Sequence, residues 1–251
     1  MIDVVIPVHN QFELVCQCVD SVMSQVGVRK VIVVDDSSTD CRLNDYYNIV
    51  DILLSRTKSN LGFLGTANIG MSLAETEFAV IINSDVIATK QDSLFTLVDA
   101  MIASGANVAS GKLLYMPGSR HGKAFTIQHA GVGFGPDGVP YHPFMNLHQD
   151  VRAANIAKRV TAVSGAVFGV RMSTWNEIGG FDPVYGMGVY EDVDYCLKAG
   201  KVLYEPKSVW LHLMHGSQTP ENDMFEWHSQ NLRVLLGRWQ VPSDEELYYG
   251  I

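Results

Sequence analysis

Runs of apolar, β-branched residues alternate with helical spacing over the first hundred residues, and no other feature of the sequence constrains the fold as strongly. Continuous apolar runs at 2–6, 31–34, 49–54 and 78–82 are typical of strands covered on both faces of a parallel sheet. Between the first two runs, apolar residues recur at helical spacing over 12–26. The sequence therefore predicts an α/β fold with a doubly wound, mostly parallel sheet.

From residue 106 onward the pattern changes to short strands separated by turns, which predicts a mixed second half. Thr174 and Glu177 have capping-box spacing and predict the start of a short helix. No linker, repeat or low-complexity tract divides the chain, so we expect one domain. The other predicted elements are helices over 64–74, 94–102, 191–199 and from Thr219, and strands over 113–115, 131–134, 160–170, 202–204 and 209–211.

The composition excludes some classes of protein. The chain has a net charge of −9, which argues against a nucleic-acid backbone or an anionic membrane as its main partner. It has no apolar run of the ~18–20 residues that cross a bilayer, and its first residues lack the pattern of a secretion signal. The four cysteines lack metal-type spacing, so we expect a cytoplasmic protein with reduced thiols.

Three polar segments, 7–10, 35–38 and 83–85, each follow a predicted buried strand. In doubly wound sheets, ligands bind beyond the carboxyl ends of the strands, so these segments are expected to share a site. Asp36 could accept a hydrogen bond from a pyrimidine N–H, whereas Asp35 is better suited to holding the turn. Asp85 at a strand tip suits a hard divalent cation, although an Asx-type turn explains it equally well.

Two other positions allow both a structural and a chemical interpretation. His212 follows an apolar strand and is either a metal ligand or a buried core histidine, and His215 competes with it for the ligand role. Glu191, Asp192 and Asp194 lie at the start of a predicted helix. Carboxylates there can simply stabilise the helix N-terminus, or one of them can act as a general base.

Taken in this order, the segments resemble the inverting, nucleotide-sugar-dependent glycosyltransferases of family two, which have the A-type fold. The resemblance is strongest to the rhamnosyltransferase-like branch, where Asn-x-Asp commonly replaces Asp-x-Asp. It covers residues 2–217. The segments that carry it are 4–10, 34–40, 60–63, 67–68, 82–85, 111–114, 127–131, 163–166, 179–182, 191–194 and Pro206, His212 and Ser217.

The resemblance implies roles for individual residues. Asp85 would bind Mn²⁺ or Mg²⁺, and His212 would complete the metal site. Asp192 would be the general base, with Glu191 beside it. The residues expected at the donor are Pro7, His9, Asn10, Asp36 and Asn68 around the nucleoside, and Asn83, Ser84 and Asp85 along the ribose and diphosphate. The chain would divide into a nucleotide-sugar-binding half (1–105), an acceptor and catalytic half (106–217) and a C-terminal helix and tail (218–251).

The expected reaction is transfer of a sugar from a UDP- or dTDP-sugar to a hydroxyl group of a saccharide or another acceptor. Two alternatives stay open: a non-catalytic module that binds nucleotide sugars, and an enzyme that glycosylates nucleic-acid bases. A dehydrogenase is disfavoured because Pro7-Val8-His9-Asn10 stands where a Gly-x-Gly-x-x-Gly loop would follow the first strand.

Overall fold

The computed structural model describes residues 1–214 and 224–249, which form twelve strands and eight α-helices. The strands are β1 (Ile2–Val8), β2 (Val28–Asp35), β3 (Leu53–Arg56), β4 (Phe78–Ile82), β5 (Val86–Ala88), β6 (Val108–Tyr115), β7 (Ile127–His129), β8 (Gly133–Phe134), β9 (Pro140–Tyr141), β10 (Lys158–Val160), β11 (Val167–Arg171) and β12 (Val202–His212). The helices are α1 (Phe12–Met23), α2 (Arg42–Tyr47), α3 (Gly62–Ser72), α4 (Ser93–Ser104), α5 (Met172–Ile178), α6 (Glu191–Ala199), α7 (Met224–Arg238) and α8 (Glu245–Tyr249).

Ten of these strands form one sheet in the order β10-β12-β6-β11-β4-β1-β2-β3, with β5 paired to β12 and β7 paired to β6. The parallel pairings of β1, β2, β3 and β4, and of β6 with β12, give six strands a common direction. β11 separates β4 from β6 and runs antiparallel to both. The predicted mostly parallel α/β sheet is therefore confirmed, with its mixed part in the second half of the chain.

Helices cover both faces of the sheet, as a doubly wound fold requires. Side chains alternate along β1: Val4 and Ile6 belong to the core beneath α1 and α4, while Val5 belongs to the core beneath α3. All three side chains are fully buried. Such two-sided burial explains why the β1 sequence is apolar at every position except Asp3, rather than alternating.

Three predicted elements have other bounds in the structure. The third strand is β3 rather than 49–54, and Ile49 lies outside it with 82% of its surface exposed, after the unpredicted polar helix α2. The first helix ends at Met23, so Val26 is exposed. α5 begins at Met172 without a side-chain cap, because β11 leads directly into it, so Thr174 lies inside the helix.

The other differences concern strands and the C-terminal part. The strands expected at 202–204 and 209–211 are one strand, β12, with a register irregularity between Glu205 and Val209. The short helix α8 was not predicted. The predicted helix start at Thr219 lies outside the described residues. Helices α4 and α6 were predicted correctly, and each ends at a glycine with positive φ, Gly105 and Gly200. Within the described residues, no helix has the length and apolar character needed to cross a membrane.

The common direction of the six parallel strands determines where polar side chains accumulate. The carboxyl ends of β1, β2, β4 and β12 lie at the same edge of the sheet. The residues at or just beyond these ends are His9, Asp36, Asn83 and His212. The fold therefore gathers at one edge polar groups that are far apart in the sequence.

Helix α3 packs so closely on the sheet that Gly70 has no room for a side chain. A Cβ at this position would lie 2.2 Å from Cγ1 of the fully buried Val5. We therefore predict that Gly70→Ala lowers the free energy of unfolding by about 1–3 kcal/mol, the usual range for overpacking. Gly237→Ala is the matched control, because a Cβ there meets no atom within 4 Å. It should raise the free energy of unfolding by up to about 1 kcal/mol through helix propensity. Urea denaturation measures both changes, and equal effects would contradict the close packing of α3.

Candidate active site

A cleft of about 640 Å³ lies at the edge where the parallel strands end. It brings together the strand-end segments, the N-terminus of α6 and the end of β12. Of the residues predicted for the site, Pro7, His9, Asp36, Asn83, Ser84, Asp85, Glu191, Asp192 and His212 line it. The convergence expected from the sequence is therefore present in the structure.

The carboxylate of Asp36 is almost fully buried and caps the N-terminus of α3. Its Oδ1 accepts hydrogen bonds from the Leu61 N–H at 2.8 Å and the Thr57 hydroxyl at 2.9 Å, and its Oδ2 accepts one from the Gly62 N–H at 2.8 Å. A carboxylate offers about four acceptor positions, so Oδ2 keeps one for a ligand. Asp35 is fully buried and turns away to the Ser38 N–H and Arg56, as expected for a residue that holds the turn.

His9 faces the cleft, whereas Asn10 serves the neighbouring loop. His9 Nδ1 donates a hydrogen bond to the Asp36 carbonyl oxygen at 2.7 Å, which leaves Nε2 as the acceptor nitrogen. The side-chain oxygen of Asn10 accepts from the backbone N–H groups of Thr39 at 2.8 Å and Asp40 at 3.1 Å. Its amide nitrogen lies 3.1 Å from His9 Nε2, to which it donates. Asn10 is not among the residues that line the cleft, so it acts by holding the loop and the His9 ring.

Asn68 is likewise not brought to the cleft, contrary to the role that the resemblance implies. Its amide nitrogen donates to the Phe181 carbonyl at 2.9 Å, and its amide oxygen accepts from the Phe181 N–H at the same distance. Both halves of the amide are therefore used to join α3 to the loop before α6. The sequence pattern could not show this, because a polar residue on a buried helix face is equally expected at a ligand site.

Asp85 and His212 form the pair best suited to a divalent cation. Asp85 Oδ1 lies 3.2 Å from His212 Nε2, and both residues are more than nine-tenths buried. His212 Nδ1 donates to Gln128 Oε1 at 2.7 Å, which in the neutral ring leaves Nε2 with its lone pair directed toward the carboxylate. Two hydrogen-bond acceptor atoms at this distance repel each other when they are buried, and a cation bound between them would remove that repulsion.

Other features of this pair also fit a metal ion. His212 Nε2 and Asn83 Oδ1 are buried atoms without a hydrogen-bond partner among the described residues. No cluster of three or more His, Cys, Asp or Glu side chains in residues 1–214 and 224–249 could hold a metal on its own. A site with two protein ligands suits Mg²⁺ or Mn²⁺, which commonly share their coordination with substrate phosphates. Gln128 was not singled out from the sequence, and its only signal is a polar residue in the short buried strand β7.

Helix α6 begins at the cleft, and its three acidic residues have different surroundings. Asp192 Oδ2 accepts from the Gly165 N–H at 2.7 Å, and its Oδ1 accepts from the Val193 N–H at 2.8 Å. Glu191 is 5% exposed, and its Oε2 has no partner among the described residues. Asp194 points away from the cleft to the Trp239 indole N–H and the Lys198 ammonium group.

Burial and mutual repulsion control the protonation of the two cleft carboxylates on α6. Burial, followed by the charge of Asp192, raises the pKa of Glu191 to about 8. Burial also raises the pKa of Asp192, but the backbone N–H groups of Gly165 and Val193 oppose this shift. We therefore place the proton of the pair on Glu191 near neutral pH, which leaves Asp192 ionised.

The loop from Gly186 to Tyr190 is held over the cleft by contacts from two helices. Asn231 of α7 donates to the carbonyl groups of Tyr185, Gly188 and Val189 at 2.7–3.1 Å. Val189 and Tyr190 both have positive φ, at 75° and 72°, which is strained for these residue types. The loop also lies so close to Gly62 of α3 that a Cβ there would meet the Met187 backbone at 2.9 Å.

Two further histidines, His129 and His142, line the cleft as a neutral pair. His129 Nε2 is 3.4 Å from the N–H groups of Gly131 and Ser164, which donate to it. Its Nδ1 then carries the proton and lies 3.2 Å from Nδ1 of His142. Burial lowers the pKa of both residues, so they contribute no charge to the site.

Comparison with known proteins identifies the family of this chain. The model of the family described as Glycosyl transferase family 2 matches residues 3–173, which is more than half of the chain. The chain belongs to this family. The prediction of a glycosyltransferase is thereby confirmed at the level of the family.

Two curated relatives show partial matches. The chain is 28% identical over 116 residues to the glycosyltransferase GlyG of Streptococcus pneumoniae serotype 4, an alignment that covers 44% of this chain and 38% of GlyG. It is 32% identical over 94 residues to the poly(ribitol-phosphate) beta-glucosyltransferase of Bacillus spizizenii, with 34% of this chain and 14% of that enzyme covered. The matches therefore span well under half of either relative.

Solved structures share the fold at low sequence identity. A structure of GalNAc-T7 with UDP, GalNAc and Mn²⁺ superposes with a TM-score of 0.69 at 16% identity, covering 89% of this chain and 46% of that chain. The Pyrobaculum calidifontis mannosyltransferase PcManGT with GDP-Man and Mn²⁺ gives 0.61 at 14% identity, covering 98% and 66%. Residues 1–349 of Staphylococcus aureus TarS with UDP-GlcNAc give 0.59 at 18% identity, covering 90% and 64%. These similarities confirm the predicted A-type glycosyltransferase fold.

The raised pKa of Glu191 has a measurable consequence for stability. In the unfolded chain this carboxyl group titrates near its ordinary value of 4.5, and in the fold it titrates at about 8. The folded state therefore binds the extra proton between these values, and the free energy of unfolding falls as the pH rises through this range. We predict that Glu191→Gln, which cannot ionise, becomes progressively more stable than the wild type between pH 5 and pH 9.

Urea denaturation across this pH series measures the difference. Glu177→Gln is the control, because Glu177 is an exposed residue of α5 that does not line the cleft. Its stability should follow that of the wild type at every pH. A constant difference between Glu191→Gln and the wild type would show that Glu191 is already ionised in the fold.

Proposed function

We propose that this chain is an inverting glycosyltransferase that moves a sugar from a UDP- or dTDP-sugar to a hydroxyl group of its acceptor. The observation that carries the proposal is that one cleft holds the Asp85–His212 pair and the Asp192 carboxyl group, which accepts two backbone N–H groups. The Asp85–His212 pair suits a diphosphate with its metal ion, and Asp192 suits proton removal from the acceptor hydroxyl group. The proposed roles of Pro7, His9, Asp36, Asn83 and Ser84 are contacts with the nucleotide part of the donor.

The preference for a pyrimidine rests on Asp36. Three protein donors already bind its carboxylate, so one acceptor position remains for the ligand. Uracil and thymine present a single imide N–H, which matches one acceptor position. Two of the structural relatives were solved with UDP or UDP-GlcNAc, although PcManGT was solved with GDP-Man. Asn83 replaces an acid as in the rhamnosyltransferase-like branch, so a deoxyhexose is the first sugar to test.

The residues present fit a divalent metal ion, Mn²⁺ or Mg²⁺. Asp85 and His212 would hold it, and Gln128 would keep the His212 ring in the binding orientation. When bound, such an ion neutralises the negative charge that develops on the leaving diphosphate. Asn83 contributes one negative charge fewer than an aspartate would, so the metal site of this chain is expected to be weaker than one with two carboxylates.

Asp192 is the proposed general base. A carboxylate cannot remove a proton from a hydroxyl group in advance, because its pKa lies far below that of the alcohol. It can accept the proton while the acceptor oxygen bonds to the anomeric carbon, which contributes roughly 10²–10⁴-fold to the rate. The Gly165 and Val193 N–H groups fix the direction of the carboxylate and keep it ionised. Protonated Glu191 beside it adds no competing negative charge at neutral pH.

Asp192→Asn tests the base directly. We predict that this variant binds the donor as the wild type does but loses sugar transfer by about 10²–10⁴-fold, since the amide cannot accept the proton. Transfer rates and donor dissociation constants should be measured with UDP- and dTDP-sugars. Asp194→Asn is the matched control on the same helix. It should keep most of its activity, because Asp194 is directed to Trp239 and Lys198 outside the cleft.

The outcomes of this comparison separate the candidate functions. Near-normal transfer by Asp192→Asn would show that another group is the base. Donor binding without turnover in the wild type would favour a non-catalytic nucleotide-sugar-binding module, provided that several classes of hydroxyl acceptor had been supplied.

Asp85→Ala tests the metal pair. In thermal-shift measurements, we expect UDP with Mn²⁺ to raise the melting temperature of the wild type more than UDP alone. Asp85→Ala should lose this metal-dependent increment, because only His212 would remain as a protein ligand. Asp99→Ala, an exposed position on α4, is the control and should keep it. If Asp85→Ala retained the increment, the metal would have to bind elsewhere.

A further inference from the structure

A second cavity, of about 620 Å³, lies against the same two strands that help to form the candidate active site. Two residues of each strand line it: Lys112 and Leu114 of β6, and Val209 and Leu211 of β12. Lys112 pairs in register with Val209, and Leu114 pairs with Leu211. His212, the next residue on β12, lines the first cleft instead. Because side chains alternate along a strand, the two cavities lie on opposite faces of the β6–β12 pair.

Positive charge is concentrated at this second cavity. Lys90, Lys112 and Lys207 come from three separate parts of the chain and all line it, whereas Asp150 is the one acidic residue of its wall within the described part of the chain. In a chain with 18 basic and 27 acidic residues, this excess of cations is a local reversal of the overall charge. Such a reversal attracts anions to the cavity.

Lys112 is the most unusual of the three lysines, because it is only 4% exposed. Its ammonium group donates hydrogen bonds to the Gln149 carbonyl at 3.2 Å and to Asn155 Oδ1, both of which are neutral. None of the three lysines forms an ion pair with any residue in the described ranges 1–214 and 224–249. Burial lowers the pKa of Lys112, and the charge of Asp150 offsets this shift only in part. A buried ammonium group without an ion pair is costly, and an incoming anion would offset that cost.

The rest of the cavity wall is apolar. Leu114, Val209 and Leu211 form part of it, and the Phe125 ring at its rim is 49% exposed. A wall that combines cations with apolar side chains suits an organic molecule that carries an anionic group, rather than a free inorganic ion alone. The ammonium group of lysine binds phosphate as a point charge, without the two-pronged geometry that arginine offers to phosphate and carboxylate alike. Among residues 1–214 and 224–249, lysines alone supply positive charge to the cavity wall.

We propose that this cavity is a binding site for an organic phosphate, distinct from the nucleotide-sugar cleft, in which Lys112 is the buried anchor and Lys90 and Lys207 supply charge at the rim. This site does not depend on the sugar-transfer chemistry proposed above.

The test is a titration of the full chain with glycerol 3-phosphate, followed by the amide shifts in NMR spectra, with glycerol and inorganic phosphate as comparison probes. We expect saturable shifts around residues 90, 112 and 207, with a dissociation constant on the order of 1 mM or tighter. Inorganic phosphate should bind several-fold more weakly because it makes no apolar contacts, and glycerol should not bind. Shifts confined to residues 83–85 and 212 would assign the phosphate to the first cleft and overturn the proposal.

Three variants make the result specific. Lys112→Met keeps the length of the side chain and removes its charge, and it should weaken binding of glycerol 3-phosphate at least tenfold. The double variant Lys90→Met/Lys207→Met leaves the buried anchor in place and should weaken binding several-fold, with a smaller dependence on salt. Lys201→Met, at an exposed lysine outside both cavities, is the control and should bind as the wild type does. The proposal would be overturned if Lys112→Met and the double variant both bound glycerol 3-phosphate as tightly as the wild type. It would also be overturned if the wild type gave no saturable shifts.

Discussion

The capping of α3 by the buried carboxylate of Asp36 is the interaction on which both walls of the candidate active site depend. Through the Leu61 and Gly62 N–H groups, Asp36 fixes the start of the helix beside the proposed nucleoside pocket. The same helix binds the Phe181 backbone through Asn68, and Gly62 lies against Met187. Because the Met187 loop leads directly into α6, the position of Asp192 is tied to the carboxylate that accepts the proposed ligand.

The sequence predicted the sheet well because burial on both faces leaves a strong pattern. The strand ends at Asp36 and Asp85 could be predicted to meet because parallel strands share an edge, and that rule needs no side-chain detail. Ile49 was wrongly placed in a strand because one exposed apolar residue in a short run cannot be distinguished from a buried one. The bulge in β12 was missed because Pro206 and Lys207 look like a break between two strands.

The roles of individual polar residues were harder to predict than their clustering at one edge of the sheet. Asn10 and Asn68 were both expected at the cleft, but the Asn68 amide binds the Phe181 backbone, and the Asn10 amide binds the backbone of the next loop and the His9 ring. Gln128 and Asn231 do the reverse. Gln128 lies in a short buried strand and Asn231 lies among the polar residues of α7, and neither stands out, yet one orients His212 and the other holds the Gly186–Tyr190 loop. Hydrogen-bond partners that come from distant parts of the chain leave no local signal.

The two halves of the proposed chemistry are held in different ways. Asp85 and His212 are fixed by backbone pairing, since Val86 pairs with His212 and the Leu213 N–H donates to the Asp85 carbonyl. The Val209 carbonyl further anchors β12 by accepting from Thr89 and Ser93. Asp192, in contrast, follows two residues with strained backbone and a loop held by side-chain hydrogen bonds. Strain of this kind persists only where surrounding contacts over-determine it. The two sides of the proposed site are therefore held independently: strand pairing fixes Asp85 and His212, whereas the contacts of Asn231 and Gly62 fix the loop that leads into Asp192.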